Sequence, residues 1–138
     1  MLEVTAVPVL TDNYVWLIHN GDTGETAAVD PSVAEPVLEA VATKGWSLTQ
    51  VLNTHWHPDH TGGNAGIQAA TGAPITGPAE TEKVSKVDRI VRECDPVTVA
   101  GAKAVVWEIP AHTAGHIAYY FEDEGMIFVG DTMFAMGC

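Results

Sequence analysis

Three imidazoles and a carboxylate fall within six consecutive residues, in the run Thr54-His55-Trp56-His57-Pro58-Asp59-His60. Imidazole nitrogen and carboxylate oxygen are the ligands that a borderline ion such as zinc accepts. The plainer reading, a solvated polar loop capping a strand, is outweighed by this density of potential ligands. The short apolar run Gln50 to Asn53 leads directly into the cluster, which is therefore expected at the C-terminal end of a buried strand. On extended backbone alternate side chains share a face, so His55, His57 and Asp59 are expected to point one way and His60 another. Such a segment suits two adjacent ions, with His55 and His57 on one and Asp59 and His60 on the other.

Around this segment the pattern alternates. Val4 to Leu10, Tyr14 to His19 and Thr26 to Val29 read as a meander of short strands, with a turn at Asn20-Gly21-Asp22. Ser32 and Glu35 have capping-box spacing, and Val37, Leu38 and Val41 share a helical face that stops at Gly45. Pro36 falls in the first turn, where it costs least. A second helix is expected from Gly62-Gly63-Asn64 through Ala70, then a strand over Ala73 to Thr76, and a helix on Val84, Val87 and Val91. The second half returns to strands: Val97 to Val99, Ala104 to Ile109, Ile117 to Phe121 and Met126 to Val129, with turns at Ala100-Gly101 and Glu122 to Gly125. This order argues for an α/β layered domain.

Composition narrows the chemistry. Cys94 and Cys138 are the two cysteines, so any metal must be held by His and Asp. Six Lys and Arg stand against 18 Asp and Glu, a net charge of −12, which is the wrong sign for tracking a nucleic-acid backbone. No run approaches the roughly 20 apolar residues that span a bilayer, and the start lacks the basic leader of a signal peptide. The expected partner is a small molecule, with no nucleic acid and no membrane, and the expected location is the cytoplasm. His19, at a strand end, reads as an ordinary surface residue.

Two further polar islands flank apolar strands: His112-Thr113-Ala114-Gly115-His116 and Gly130-Asp131-Thr132. With these in view the chain resembles the metallo-β-lactamase superfamily, whose THxHxDH, HTxGH and GDT elements match residues 54–60, 112–116 and 130–132. Val7 to Tyr14, and Gly130 to Phe134 followed by Gly137-Cys138, are similar to the corresponding segments of the hydroxyacylglutathione hydrolase (glyoxalase II) family. The resemblance covers nearly all of residues 1–138, read as one metallo-β-lactamase-like catalytic domain. Trp56 departs from it, standing where glyoxalase II often has a non-ligand His.

The resemblance implies an αββα sandwich and two divalent ions, zinc ahead of iron or manganese. His55, His57 and His116 would hold the first ion and Asp59 and His60 the second, with Asp131 bridging. His112 would be a supporting group rather than a ligand, and Cys138 would line the substrate site. The implied reaction is hydrolysis of an S-(2-hydroxyacyl)glutathione thioester by metal-bound hydroxide, which Asp59 would orient, releasing glutathione and a hydroxy acid. The family's last metal-ligating His and its helical glutathione-binding region have no counterpart in these residues. The chain is therefore expected to carry the N-terminal half and first strands of the second half of an incomplete fold. Three rivals share the ligands: a persulfide dioxygenase-like protein with one iron on His55, His116 and Asp131, another hydrolase of the same fold, and a non-catalytic metal-binding fragment.

Overall fold

A computed structural model describes residues 2–9, 13–109, 116–129 and 132–135, with the side chains of residues 13, 58, 59 and 132–135 outside the description. Strands β1 (Leu2–Val9), β2 (Asn13–Asn20) and β3 (Glu25–Val29) form the expected antiparallel meander. The turn between β2 and β3 is closed by Asn20, whose side-chain Oδ1 accepts the Asp22 N–H at 2.9 Å and whose carbonyl accepts the Gly24 N–H at 2.8 Å.

From β3 onward the sheet becomes parallel, because each return passes through a crossover. Helix α1 (Glu35–Lys44) leads to β4 (Ser47–Leu52), and α2 (Pro58–Thr61) with α3 (Asn64–Thr71) lead to β5 (Ile75–Gly77). A two-residue strand β6 (Arg89–Ile90) completes a six-stranded sheet in sequential order. Strands β7 (Pro96–Val99), β8 (Ala102–Glu108), β9 (Ile117–Phe121), β10 (Met126–Val129) and β11 (Thr132–Ala135) build a second, wholly antiparallel sheet.

Two apolar layers follow from strand alternation. One lies between the sheets, where Ile18, Val29 and Leu52 meet Val99, Val106, Tyr119, Phe121 and Phe128. The other lies on the far side of the first sheet, where Val15, Leu17, Val51 and Ile75 meet Val37 and Val41 of α1 and Ile67 of α3. Among the described residues the layers therefore run helix, sheet, sheet.

Some local expectations are corrected. Glu35 does begin a helix, and Gly45 ends it in a left-handed conformation with φ 71°, but the N-cap is Ala34 and no side chain caps it. Ser32 is instead buried short of the helix, so the capping-box spacing is coincidental. No helix forms on Val84, Val87 and Val91. A 3-10 turn (Ala79–Lys83) precedes them, Val84 is exposed while Val91 is buried, and Arg89 and Ile90 pair with β5 instead. Asp88 anchors that path by accepting the Ile75 N–H at 2.8 Å. His19 is half-buried rather than an open surface residue: its ring stacks on Trp46 at 4.1 Å and its Nδ1 lies 2.8 Å from Thr26 Oγ1.

Candidate metal centre

The parallel strands β3 and β4 end side by side, and the polar cluster grows from those ends, the usual place for a site in a sheet of this type. Asp30 follows β3 directly, and residues 53–57 follow β4. His116 approaches from the second sheet, immediately before β9. The two sheets are tied at this point by the Ile117 N–H donating to the Thr54 carbonyl at 2.8 Å, which places the residues next to that bond, His55 and His116, face to face.

His55 is the centre of the group. Its ring centroid lies 4.5 Å from that of His116 in a stacked arrangement, 4.2 Å from His60 and 5.0 Å from His57. His55, His60 and His116 are all buried. The structure thus brings together four of the six expected ligands. Asp59 lies in α2, with its side chain outside the description, and Asp131, His112 and Cys138 lie outside the described residues.

One orientation differs from expectation. His60 does not point away from His55, because the strand ends at Leu52 and the segment carrying the histidines bends and turns helical at Pro58. Residues 58–61 make a single helical turn, with the His60 N–H donating to the His57 carbonyl at 2.9 Å, and this turn folds the His60 ring back toward His55.

Sequence reading did not single out Asp30. Its carboxylate is buried and carried on a left-handed backbone with φ 52°, a conformation that Asp tolerates better than most residues. Oδ1 accepts the Thr54 N–H at 2.8 Å and Oδ2 accepts the Thr54 hydroxyl at 2.6 Å. His60 Nδ1 lies 3.3 Å from Oδ2. A ligating atom from each of Asp30, His55 and His60 lies within 4.8 Å of the others. Through its two bonds to Thr54 the Asp30 carboxylate holds the start of the loop. The available signal was positional: Asp30 ends one parallel strand as the histidine cluster ends its neighbour.

Behind the rings, Asn53 and Asn64 form a fully buried amide pair. Asn64 Nδ2 donates to Asn53 Oδ1 at 2.6 Å, and Asn53 Nδ2 donates to the His60 carbonyl at 3.3 Å. On the outer side Trp56 packs edge-on against His57 at 4.8 Å, under Lys83 Nζ at 5.3 Å. Its backbone N–H donates to Glu80 Oε2 at 3.2 Å. Trp56 is therefore accommodated as a packing residue beside the site.

The donor set fits a divalent cation of borderline softness. Several imidazoles converge in an interior that would otherwise have no use for clustered polar rings, and neighbouring groups fix the loop that carries them.

Sheet order, crossovers and a histidine cluster at the strand ends define a metal-binding α/β sandwich. The chain belongs to the Metallo-beta-lactamase superfamily, whose pattern matches residues 10–93. Among curated relatives, the hydroxyacylglutathione hydrolase of Methylococcus capsulatus is 48% identical across all of this chain and 54% of its own length. That of Erythrobacter litoralis is 48% identical across all of this chain and 55% of its own length. The chain thus spans about half the length of the curated relatives it matches. Among solved structures, BLEG-1 B3 metallo-beta-lactamase superposes with a TM-score of 0.85 at 19% identity, over 96% of this chain and 73% of that one, and shows the fold alone. ETHE1 from Myxococcus xanthus superposes with a TM-score of 0.76 at 29% identity, over 94% of this chain and 56% of that one.

Proposed function

We propose that this chain carries the metal site of a hydrolase that cleaves S-(2-hydroxyacyl)glutathione thioesters, S-lactoylglutathione among them, into glutathione and a hydroxy acid. The observation that carries this reading is the 48% identity, across the whole chain, to hydroxyacylglutathione hydrolases, in a chain whose histidines converge at the strand ends. In this reading His55, His57, His116 and Asp131 hold one ion, and Asp59, His60 and the shared Asp131 hold a second, with zinc as the metal. When bound, such ions supply Lewis acidity and bring the ionisation of a water toward neutral pH.

The chain's own residues supply placement. Asp30 and Thr54 fix the start of the ligand loop, the Asn53–Asn64 pair fixes its end, and the bond between Thr54 and Ile117 sets His116 against His55. Asp59 orients the attacking water, and Cys138 lines the acyl-thiol side. Among the described residues no helix is long and apolar enough to cross a membrane. A glutathione substrate and the exposed Cys94 thiol suit a reducing compartment, so we place the protein in the cytoplasm. The strongly acidic balance favours a small-molecule partner over nucleic acid.

The test pairs metal analysis with an assay of S-lactoylglutathione cleavage by the zinc-loaded protein. Cleavage is expected, and His55→Ala and His116→Ala are each expected to lower metal content and cleavage together. Unchanged zinc content in both variants would overturn the ligand assignment. Oxygen uptake with glutathione persulfide, without thioester cleavage, would move the chain to the mononuclear-iron reading.

A further inference from the structure

We infer that Thr54 is a positioning residue that sets the tautomer of His55: held by Asp30, its hydroxyl leaves His55 to donate through Nδ1 and to offer Nε2 to a cation. The inference rests on the metal reading of the site and follows from counting protons. A threonine hydroxyl has one proton to give and two lone pairs with which to accept.

The Thr54 hydroxyl stands 2.6 Å from Asp30 Oδ2, the short distance of a hydroxyl donating to a carboxylate. The hydroxyl is the donor in that bond, which fixes its direction. Thr54 Oγ1 also stands 2.9 Å from His55 Nδ1. With its single proton committed to Asp30, the hydroxyl can only accept there, and Nδ1 must carry the hydrogen. In a neutral imidazole the lone pair then resides on Nε2.

The geometry makes this relay stiff. The Thr54 N–H is held on the other Asp30 oxygen at 2.8 Å, so the carboxylate grips Thr54 by both backbone and side chain. Asp30 is itself pinned by its N–H donating to the Leu52 carbonyl at 2.8 Å. Asp30, Thr54 and His55 are all buried, which shields the chain of bonds from competing water. An imidazole free to populate both tautomers would present the wrong nitrogen part of the time, and binding would be weakened by the fraction of rings set correctly.

The experiment reads the tautomer directly. Protein labelled with 15N-histidine is stripped of metal with a chelator and studied by long-range 1H–15N correlation above the imidazole titration range, in parallel with zinc affinity by competition. The expected result is a His55 signal with Nδ1 protonated in the metal-free protein. Thr54→Val, close in shape but lacking the hydroxyl, should lose that single-tautomer signature and bind zinc roughly 10–100-fold more weakly. Thr54→Ser should restore both.

A wild-type His55 protonated on Nε2 would overturn the relay without recourse to any variant. So would a folded Thr54→Val, verified by circular dichroism, that keeps both the wild-type tautomer and the wild-type affinity. If the wild-type protein took up no zinc, the metal reading would fail, while the metal-free tautomer would still decide the role of Thr54.

Discussion

Tyr119 shows how much one hydroxyl can do behind such a site. It is fully buried between the sheets, and its OH donates to the Asn53 carbonyl at 2.7 Å, with the Thr76 carbonyl 3.3 Å away. Burial, reinforced by the Asp30 carboxylate and partly offset by Arg89, pushes its ionisation well above the ordinary phenol range. The stabilisation linked to the neutral phenol is therefore complete below about pH 10, where an unfolded tyrosine begins to ionise, and is lost as pH rises further. Tyr119→Phe should lower stability at neutral pH by about 1–2 kcal/mol, since a buried carbonyl loses a donor, and should lose less stability than wild type in alkaline buffer. Urea titrations at neutral and alkaline pH check both outcomes, and equal alkaline losses would remove Tyr119 as the cause. At this scale the histidines were legible because four potential ligands crowd one short run and their chemistry is local. Asp30 and Thr54 were not, because what assigns their work is a contact spanning 24 residues that no periodicity encodes.

Among the elements, α3 is set by the absence of a side chain at its N-terminus. The Gly63 N–H donates to the Pro31 carbonyl at 2.8 Å. A Cβ on Gly63 would stand 2.6 Å from the Val33 carbonyl carbon and 2.9 Å from both Ala34 N and Pro31 O. All three are backbone atoms that cannot rotate aside, so Gly63→Ala must move α3 from the segment preceding α1, at a cost of about 1–3 kcal/mol. Because α2 and His60 lie just upstream, zinc affinity should fall with the melting temperature. Calorimetry and metal competition check the pair; an unchanged affinity in the destabilised variant would show that the two helices move independently. Helix α1 was legible from its 3.6-residue apolar spacing and glycine stop, and α3 from the Gly62-Gly63-Asn64 run that opens it. The expected helix on Val84, Val87 and Val91 failed because spacing alone does not reveal an unfilled sheet edge, and β5 recruits Arg89 and Ile90 as its neighbour. Strand β11 was missed for a related reason: its place depends on pairing with β10, which a short apolar run does not announce.

Across the whole molecule, the α/β order and the strand-end position of the cluster were legible, since helices and strands alternate in the sequence itself. The packing of one sheet on the other was not, since it is a property of faces meeting across the chain. The bond from Ile117 to Thr54 marks where that meeting creates the site. It also carries a consequence in time. Each sheet is assembled largely from neighbouring segments, through hairpins and short crossovers, which close early because little loop entropy is lost. If His55 and His116 meet only when the finished sheets dock, the ion finds its full grip after the rate-limiting crossing. Zinc should then leave the refolding rate nearly unchanged and slow unfolding by almost the whole of its stabilising effect. Stopped-flow refolding and unfolding with and without zinc would show the asymmetry, and an accelerated refolding limb would mean that the ion gathers the strands before they dock. In this account the metal acts as a latch on a structure already built, and its loss determines how long the protein lasts more than how quickly it forms.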